Sequence, residues 1–200
     1  MSTAVPGIPD LQRLDPGLWE AVPGDPSLVD VPPLTYLAFD GAGAPCDPPF
    51  GMAIGSIAAA AGIAAAAAGL PPMPIEVWFW TDPPEAFDAN RQDLWQWTAG
   101  IAVPGTMAVN LLAAAQAGDV GPAADRMRVL QLTKGPSMQV LHVGPYDALG
   151  RSVGALHSAM AASGLTFAGP HHEIYLDDPG RISPDALRTI MRQPVRPAAS

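Results

Sequence analysis

The stretch PHHEIYL, residues 170–176, predicts a β-strand that carries a carboxylate and a phenol on the same face. Side chains alternate along a strand, so Glu173 and Tyr175 point one way while Ile174 and Leu176 point the other. If the Ile174 face packs on a core, the Glu173 face looks into a cleft or into solvent. A carboxylate beside a phenol in a cleft can hold a ligand or move a proton, so these two residues are the first candidates for function.

The sequence before this strand predicts a β-α-β-β unit in the first half of the chain. A strand over residues 34–40 precedes an alanine-rich helix over 51–68, and strands over 75–80 and 94–101 follow. The strands are rich in aromatic and β-branched residues, and a glycine and two prolines end the helix.

The second half predicts the same order of elements. A hairpin of strands over 125–133 and 137–143, turning at KGP, is followed by an amphipathic helix over 148–163 and by strands over 171–176 and 187–195. The expected boundaries are an N-terminal arm (1–31, with a short helix around 10–20) and one domain (32–197) made of a first repeat (32–103), a linker (104–124, helical over 106–117) and a second repeat (125–197). Two tandem repeats suggest a pseudo-twofold α+β fold around a central ligand cleft.

Composition narrows the range of functions. The net charge is -9, with ten basic residues and Lys134 as the sole lysine, which disfavours direct nucleic-acid binding because phosphate backbones need clustered cations. Residues 53–70 lack charge, yet alanine is nearly neutral towards lipid, so we expect a buried helix rather than a membrane span. No secretory signal precedes the domain. We therefore expect a soluble, cytoplasmic protein.

Metal and cofactor chemistry find little support in the sequence. His171 and His172 are adjacent, so on a strand they face opposite ways, and the usual zinc spacings are absent. Cys46, the single cysteine, lies next to Asp47, which opposes thiolate formation. No complete dinucleotide fingerprint or nucleophile elbow occurs. We expect no metal and no cofactor.

The second predicted strand of the first half carries another carboxylate among aromatic residues. Glu76, Trp78 and Trp80 share one face of the strand over 75–80, and Trp97 lies on the next strand. An apolar core rarely accepts an unpaired carboxylate, whereas an aromatic wall with a carboxylate in it can hold a flat or cationic molecule. Two alternatives stay open: the tryptophans are ordinary core residues, or the glutamates, Glu173 included, pair with Arg188 or Arg192.

Together these residues resemble the GyrI-like small-molecule-binding family, in particular its stand-alone members with an N-terminal extension. The resemblance covers about residues 27–196 and rests on the segments Val29–Pro33, Pro74–Glu76 with Trp78 and Trp80, Trp95–Thr98, His142–Tyr146 and His171–Val195. The alanine-rich helix departs from the family, which usually places bulkier residues there.

The resemblance implies two β-α-β-β (SHS2-like) repeats around a cleft that binds flat, often cationic, organic compounds. Such domains are commonly fused to DNA-binding segments, but no helix-turn-helix precedes this one, so the chain resembles a free-standing member. Some stand-alone members hydrolyse the cyclopropane ring of DNA-alkylating drugs.

The resemblance implies roles for individual residues in ligand binding and catalysis. Glu173 is the expected general base, and Tyr175 or Tyr146 positions the water or donates to the carbonyl. The expected ligand contacts are Glu76, Trp78, Trp80, Trp97, Tyr146 and Tyr36. The order of functions is a binding module for planar organic molecules, then a hydrolase of cyclopropanoid genotoxins, and third a protein partner, for example of a topoisomerase. The sequence does not predict the oligomeric state.

Overall fold

The computed structural model describes residues 16–82, 91–118, 120–121 and 124–198. The strands and helices in chain order are β1 (Ser27–Val31), β2 (Leu34–Ala42), α1 (Pro48–Ala68), β3 (Ile75–Trp80), β4 (Gln96–Val103), α2 (Ala108–Ala117), β5 (Arg128–Leu132), β6 (Gly135–Val143), α3 (Leu149–Ala162), β7 (Leu165–Phe167), β8 (His171–Tyr175) and β9 (Arg188–Pro197). They divide into unit 1, with the described residues between 33 and 133, and unit 2, with 16–32 and 134–198.

Unit 1 is an antiparallel sheet in the order β3-β4-β2-β5 with α1 packed on one face. Phe50 near the start of α1 stacks on Phe79 at 6.1 Å between ring centroids and meets the Trp97 ring edge-on at 5.2 Å. Aromatic pairs in these geometries contribute more than their buried area alone. The contacts identify the helix-covered face of the sheet as the one that bears Phe79 and Trp97.

Helix α1 is the alanine-rich segment, and it is packed along one side only. Among the described residues it is the one helix that is long and apolar enough to cross a membrane by length and composition. Its buried residues recur at helical spacing and face the sheet: Phe50, Ala53, Ser56, Ile57, Ala60, Ala61 and Ala64. Gly69 ends the helix with φ 65°, a left-handed conformation that glycine adopts without strain.

Unit 2 contains an antiparallel sheet in the order β1-β6-β9-β8, with the short β7 also paired to β9. Helix α3 buries Leu156 and Met160 against Val140 and Met191 of the sheet, with Met138 and Val195 completing the cluster. On the opposite face the buried guanidinium of Arg192 donates to Gln139 Oε1 at 2.9 Å and to the carbonyl of Leu18.

The predicted α+β fold is confirmed, with most strands and helices near their expected positions. The predicted hairpin is wrong: β5 pairs with β2, where Leu130 lies opposite Tyr36, while β6 pairs with β1 and β9. The KGP motif is not a turn because Gly135 and Pro136 are the first residues of β6, opposite Val31 and Asp30.

Part of the predicted N-terminal arm is regular structure, since residues 27–31 form β1 and Pro16–Trp19 form a 3₁₀ turn. Residues 1–15 of that arm lie outside the described residues. The pseudo-twofold relation and the shared cleft stay predictions.

Gly41 gives a test of this packing. A Cβ atom at Gly41 would stand 2.1 Å from Cη2 of Trp97, which lies opposite it on β4. We expect Gly41→Ala to lower the free energy of unfolding by about 1–3 kcal/mol, the usual cost of overpacking. The measurement is urea denaturation followed by tryptophan fluorescence.

The matched control is Gly55→Ala on the exposed side of α1, where a new Cβ meets nothing within 4 Å. It should raise the free energy of unfolding by about 0.5–1 kcal/mol, because alanine favours a helix over glycine. Equal stability of Gly41→Ala and wild type would contradict the close packing of Trp97 on β2.

Candidate functional site

Strand β8 brings Glu173 and Tyr175 into direct contact, as their spacing predicts. Tyr175 Oη donates a hydrogen bond of 2.8 Å to Glu173 Oε2. Both side chains are half-buried, whereas Ile174 between them is fully buried on the other face. Alternation along the strand thus places the carboxylate and the phenol together.

The strand register shows what surrounds this pair. Glu173 lies opposite Met191 on β9, and Tyr175 lies opposite Thr189, which in turn lies opposite His142 on β6. Directly opposed residues share a sheet face, and Met191 packs under α3. The Glu173 face is therefore the one that α3 partly covers.

Tyr146 completes the cluster from the 3₁₀ turn that precedes α3. Its ring meets the Tyr175 ring edge-on at 5.5 Å between centroids, and 40% of the residue is exposed. Burial, followed by the charge of Glu173, raises the pKa of Tyr175 well above its usual range and also raises the pKa of Tyr146. Both phenols therefore keep their protons at neutral pH and act as hydrogen-bond donors.

Two histidines lie near the cluster. His171 Nε2 is 3.6 Å from Glu173 Oε1, with the two side chains 12% and 13% exposed. His142 is hydrogen-bonded at both ring nitrogens, Nδ1 to Ser152 Oγ at 2.9 Å and Nε2 to the Pro145 carbonyl at 3.3 Å. Because a carbonyl only accepts, this assigns the ring proton to Nε2.

The arginines predicted as alternative partners are placed elsewhere. Arg188 forms an ion pair of 2.8 Å with Asp177, and this contact lowers the pKa of Asp177. Arg192 lies opposite His172, on the sheet face away from Glu173. Among the described residues, the carboxylate of Glu173 therefore accepts its hydrogen bond from Tyr175 rather than from Arg188 or Arg192.

Unit 1 contains a second tyrosine–carboxylate pair. Tyr36 Oη donates to Glu76 Oε2 at 3.1 Å, and the Trp78 ring meets the Tyr36 ring edge-on at 4.9 Å. Tyr36 and Glu76 are 0% exposed, and Trp80 on the same face is half-buried. The structure thus brings Tyr36, Glu76 and Trp78 together.

Small residues on β4 make this pair possible. Tyr36 is on β2 and Glu76 is on β3, so the hydrogen bond passes over β4, which lies between them. The positions beneath are Gly100, opposite Glu76, and Ala102, opposite Tyr36. A Cβ at Gly100 would lie 2.9 Å from the Leu37 carbonyl oxygen and 3.0 Å from Ala38 Cβ.

Trp97 is placed apart from the other predicted ligand contacts. It lies opposite Phe79, on the face that α1 covers, and its ring meets the Phe39 ring at 5.5 Å. The side chain is 1% exposed. This position favours the alternative of a core tryptophan, and the ligand-binding roles of Tyr36, Glu76, Trp78 and Trp80 stay predictions.

Two features of these sheets are not predicted by the sequence. Asp40 accepts from Thr98 Oγ1 at 2.7 Å and pairs with Arg128 at 2.9 Å, a network that needs the pairing of β2 with both β4 and β5. Thr189 enters the Glu173 cluster only through its register with Tyr175. Alternation within LRTIMRQPV (residues 187–195) predicts that Thr189 and Met191 share a face of the strand. It does not predict which strands lie beside them.

Comparison with protein families identifies a matching domain. The profile described as the GyrI-like small molecule binding domain matches residues 24–196. A search of curated proteins found no significant match.

Solved structures give similar folds. A conserved protein from Listeria innocua, described as uncharacterized, is 28% identical, with a TM-score of 0.75 over 92% of this chain and 100% of its own. A protein from Listeria innocua described as a hydrolase is 27% identical, with a TM-score of 0.70 over 90% of this chain and 95% of its own. The C-terminal domain of EcmrR shares the fold at 13% identity and a TM-score of 0.58, over 87% of this chain and 98% of its own.

The buried pair in unit 1 predicts a stability difference. We expect Tyr36→Phe to lower the free energy of unfolding by about 1–3 kcal/mol, because it removes a buried donor to the Glu76 carboxyl. Tyr146→Phe, in a partly exposed side chain, is the control and should change it by less than about 0.5 kcal/mol. Denaturant titration of both variants makes the measurement, and equal effects would argue against the Tyr36–Glu76 hydrogen bond.

The pair in unit 2 predicts a change in tyrosine ionisation. Removing the charge in Glu173→Gln favours the tyrosinate form, so the pKa of Tyr175 and of Tyr146 should fall relative to wild type while burial still keeps the pKa of Tyr175 raised. Alkaline titration followed by tyrosinate absorbance measures this change. Tyr175→Phe should remove one of the steps at raised pH, and unchanged titration in Glu173→Gln would contradict the contact.

Proposed function

The chain belongs to the GyrI-like small-molecule-binding family, and from that premise we propose that it binds a planar organic molecule and adds water to a strained, electrophilic ring in it. Glu173 is the proposed general base. A spiro-cyclopropane conjugated to a carbonyl, as in cyclopropanoid genotoxins, is the proposed substrate class. The binding step alone corresponds to the family description, and the hydrolytic step goes further.

The observation that carries the proposal is the geometry of the Glu173 carboxylate. One oxygen, Oε2, is fixed by Tyr175 at 2.8 Å, and the side chain is 13% exposed. A carboxylate whose first oxygen accepts a hydrogen bond from a neutral donor is held in one orientation, and its second oxygen can accept a proton from water. The exposed ring of Tyr146 offers a ligand an aromatic contact at the rim of the same cluster.

The reaction balances with the groups present. Glu173 takes a proton from water as the water oxygen bonds to the ring methylene, the ring carbon–carbon bond breaks, and its electron pair moves to the carbonyl oxygen. That oxygen is then protonated, and the net change is the gain of one water. Tyr146 is the proposed donor to this oxygen because its raised pKa keeps the phenol protonated.

Similar structures support hydrolysis over binding alone. Two of the Listeria innocua structures at 27% identity are described as hydrolases. The similarity extends over 90% of this chain and 95% of each of those chains. Their descriptions name no substrate, so the ring chemistry is our own proposal.

The charge around the site supports ligands that are neutral or cationic. Asp177 and Asp178 follow β8 directly, and they add to the negative potential that Glu173 creates at Tyr146. In unit 1, and separately from the Glu173 site, we propose that Trp80 can contact a planar molecule, because it is half-buried on the aromatic face. The Tyr36–Glu76 pair is fully buried, and we propose that it stabilises the sheet.

Turnover by Glu173→Gln tests the proposed base. Purified protein is incubated with planar compounds that include a cyclopropanoid alkylator, and each is followed by mass. Wild type should add one water to the cyclopropanoid, and Glu173→Gln should do so about a hundred- to ten-thousand-fold more slowly, the usual range for general-base catalysis.

Asp185→Asn, an exposed acidic position in the 3₁₀ turn before β9, is the charge-matched control and should retain the wild-type rate. Glu173→Gln hydrolysing at the wild-type rate would exclude the base assignment. Ligand-dependent quenching of tryptophan fluorescence with every compound unchanged in mass would leave the protein a binder without turnover.

A further inference from the structure

Thr189 is a buried threonine on β9, and its directly opposed neighbours are Tyr175 on β8 and His142 on β6. It is 0% exposed and shares the α3-covered face with both neighbours. Within the described part of the chain, Thr189 Oγ1 has no hydrogen-bond partner. A buried hydroxyl without a partner loses its hydration and gains nothing in exchange, so a polar occupant beside it would stabilise the site.

The polar atoms of its neighbours are already engaged. His142 uses both ring nitrogens, one with Ser152 and one with the Pro145 carbonyl. Tyr175 directs its proton to Glu173 Oε2. An occupant of the site must therefore come from outside these side chains, and a water molecule is the smallest group that can serve.

The free oxygen of Glu173 is the second partner for such a water. Glu173 lies opposite Met191, two residues along β9 from Thr189 and on the same face. Such diagonal neighbours lie about 7–8 Å apart at Cα, with their side chains closer. In the described residues Glu173 Oε1 has His171 Nε2 at 3.6 Å, which is beyond hydrogen-bond length. A water bridging Oγ1 of Thr189 and Oε1 of Glu173 would give both oxygens a hydrogen-bond partner.

We propose that Thr189 and Glu173 together hold the nucleophilic water, which makes Thr189 a catalytic residue of the hydrolysis proposed above. The inference rests on that proposed function for its chemistry, but not for the water site itself. Glu173 Oε1 accepts the proton that the water loses, and Thr189 Oγ1 accepts a hydrogen bond from the other water O–H. A lone pair of the water oxygen then forms the bond to the ring methylene carbon. The bond from that carbon to the neighbouring ring carbon breaks, and its electron pair moves to the carbonyl oxygen.

The variant that tests this role is Thr189→Val, which keeps the shape and removes the hydroxyl. We expect kcat to fall about ten- to a hundredfold with KM within about twofold, because a group that orients the attacking water acts on the transition state and not on substrate binding. Thr189→Ser retains the hydroxyl and should recover most of the rate. Wild-type turnover by Thr189→Val would overturn the proposal.

Thr35→Val is the matched control. Thr35 on β2 is also a buried threonine, 1% exposed, whose Oγ1 has no hydrogen-bond partner among the described residues. Thr35→Val should melt at or above the wild-type temperature, since it removes a buried unpaired hydroxyl, and circular dichroism should show that both valine variants are folded. Only Thr189→Val should lose turnover, and an equal loss in Thr35→Val would show a general effect of such substitutions and overturn the specific role.

A crystal structure of the wild-type protein separates this proposal from the proposed function. We expect one ordered water within hydrogen-bond distance of both Thr189 Oγ1 and Glu173 Oε1, and its loss in Thr189→Val. A wild-type site without that water would overturn the inference whatever the enzyme assays show. The water present, with no ring compound hydrated by wild type, would confirm the water site and reject the hydrolase.

Discussion

The packing of α1 against the sheet of unit 1 and of α3 against the sheet of unit 2 is the constraint from which the positions of the polar residues follow. In unit 1 the face under α1 holds the rings of Phe79 and Trp97, so Glu76 points to the opposite face. In unit 2 the face under α3 holds Met191, and Glu173 lies on this same face. The carboxylates of β3 and β8 are thus on different sides of their sheets relative to the helix that packs on each sheet, although both strands come after that helix and pair with the strand that follows them in the chain.

The carboxylates of Glu76 and Glu173 each accept a hydrogen bond from a tyrosine hydroxyl, but the two pairs reach this contact differently. Tyr175 is two residues from Glu173 on one strand, so local alternation alone brings them together. Tyr36 and Glu76 are separated by a strand, and their contact depends on Gly100 and Ala102 leaving room above β4. The first pair follows from the pattern of one strand. The second needs three strands in register.

This difference explains how much the sequence could predict. Alternation correctly placed Glu173 with Tyr175 and Glu76 with Trp78, and composition placed the helices to within a few residues. Pairing between distant strands has no local signal, so the sequence alone does not predict that β5 pairs with β2 or that β1 pairs with β6. For the same reason the KGP motif resembles a turn, although its Gly135 and Pro136 begin β6. Trp97 and Trp78 both follow clean alternation, and only the register of β4 shows that they occupy opposite faces.

Exposure separates the roles of the two pairs. Glu76 and Tyr36 are completely enclosed, and their hydrogen bond links β2 to β3 across β4. Glu173 retains some exposure, has an accessible phenol ring in Tyr146 at its edge, and faces a buried hydroxyl that its neighbours leave unsatisfied. Polar groups left without partners are costly in a core, and they persist where a ligand or a water completes them. The tyrosine–carboxylate pair is therefore enclosed in unit 1, whereas in unit 2 it has the partial exposure that the proposed chemistry requires.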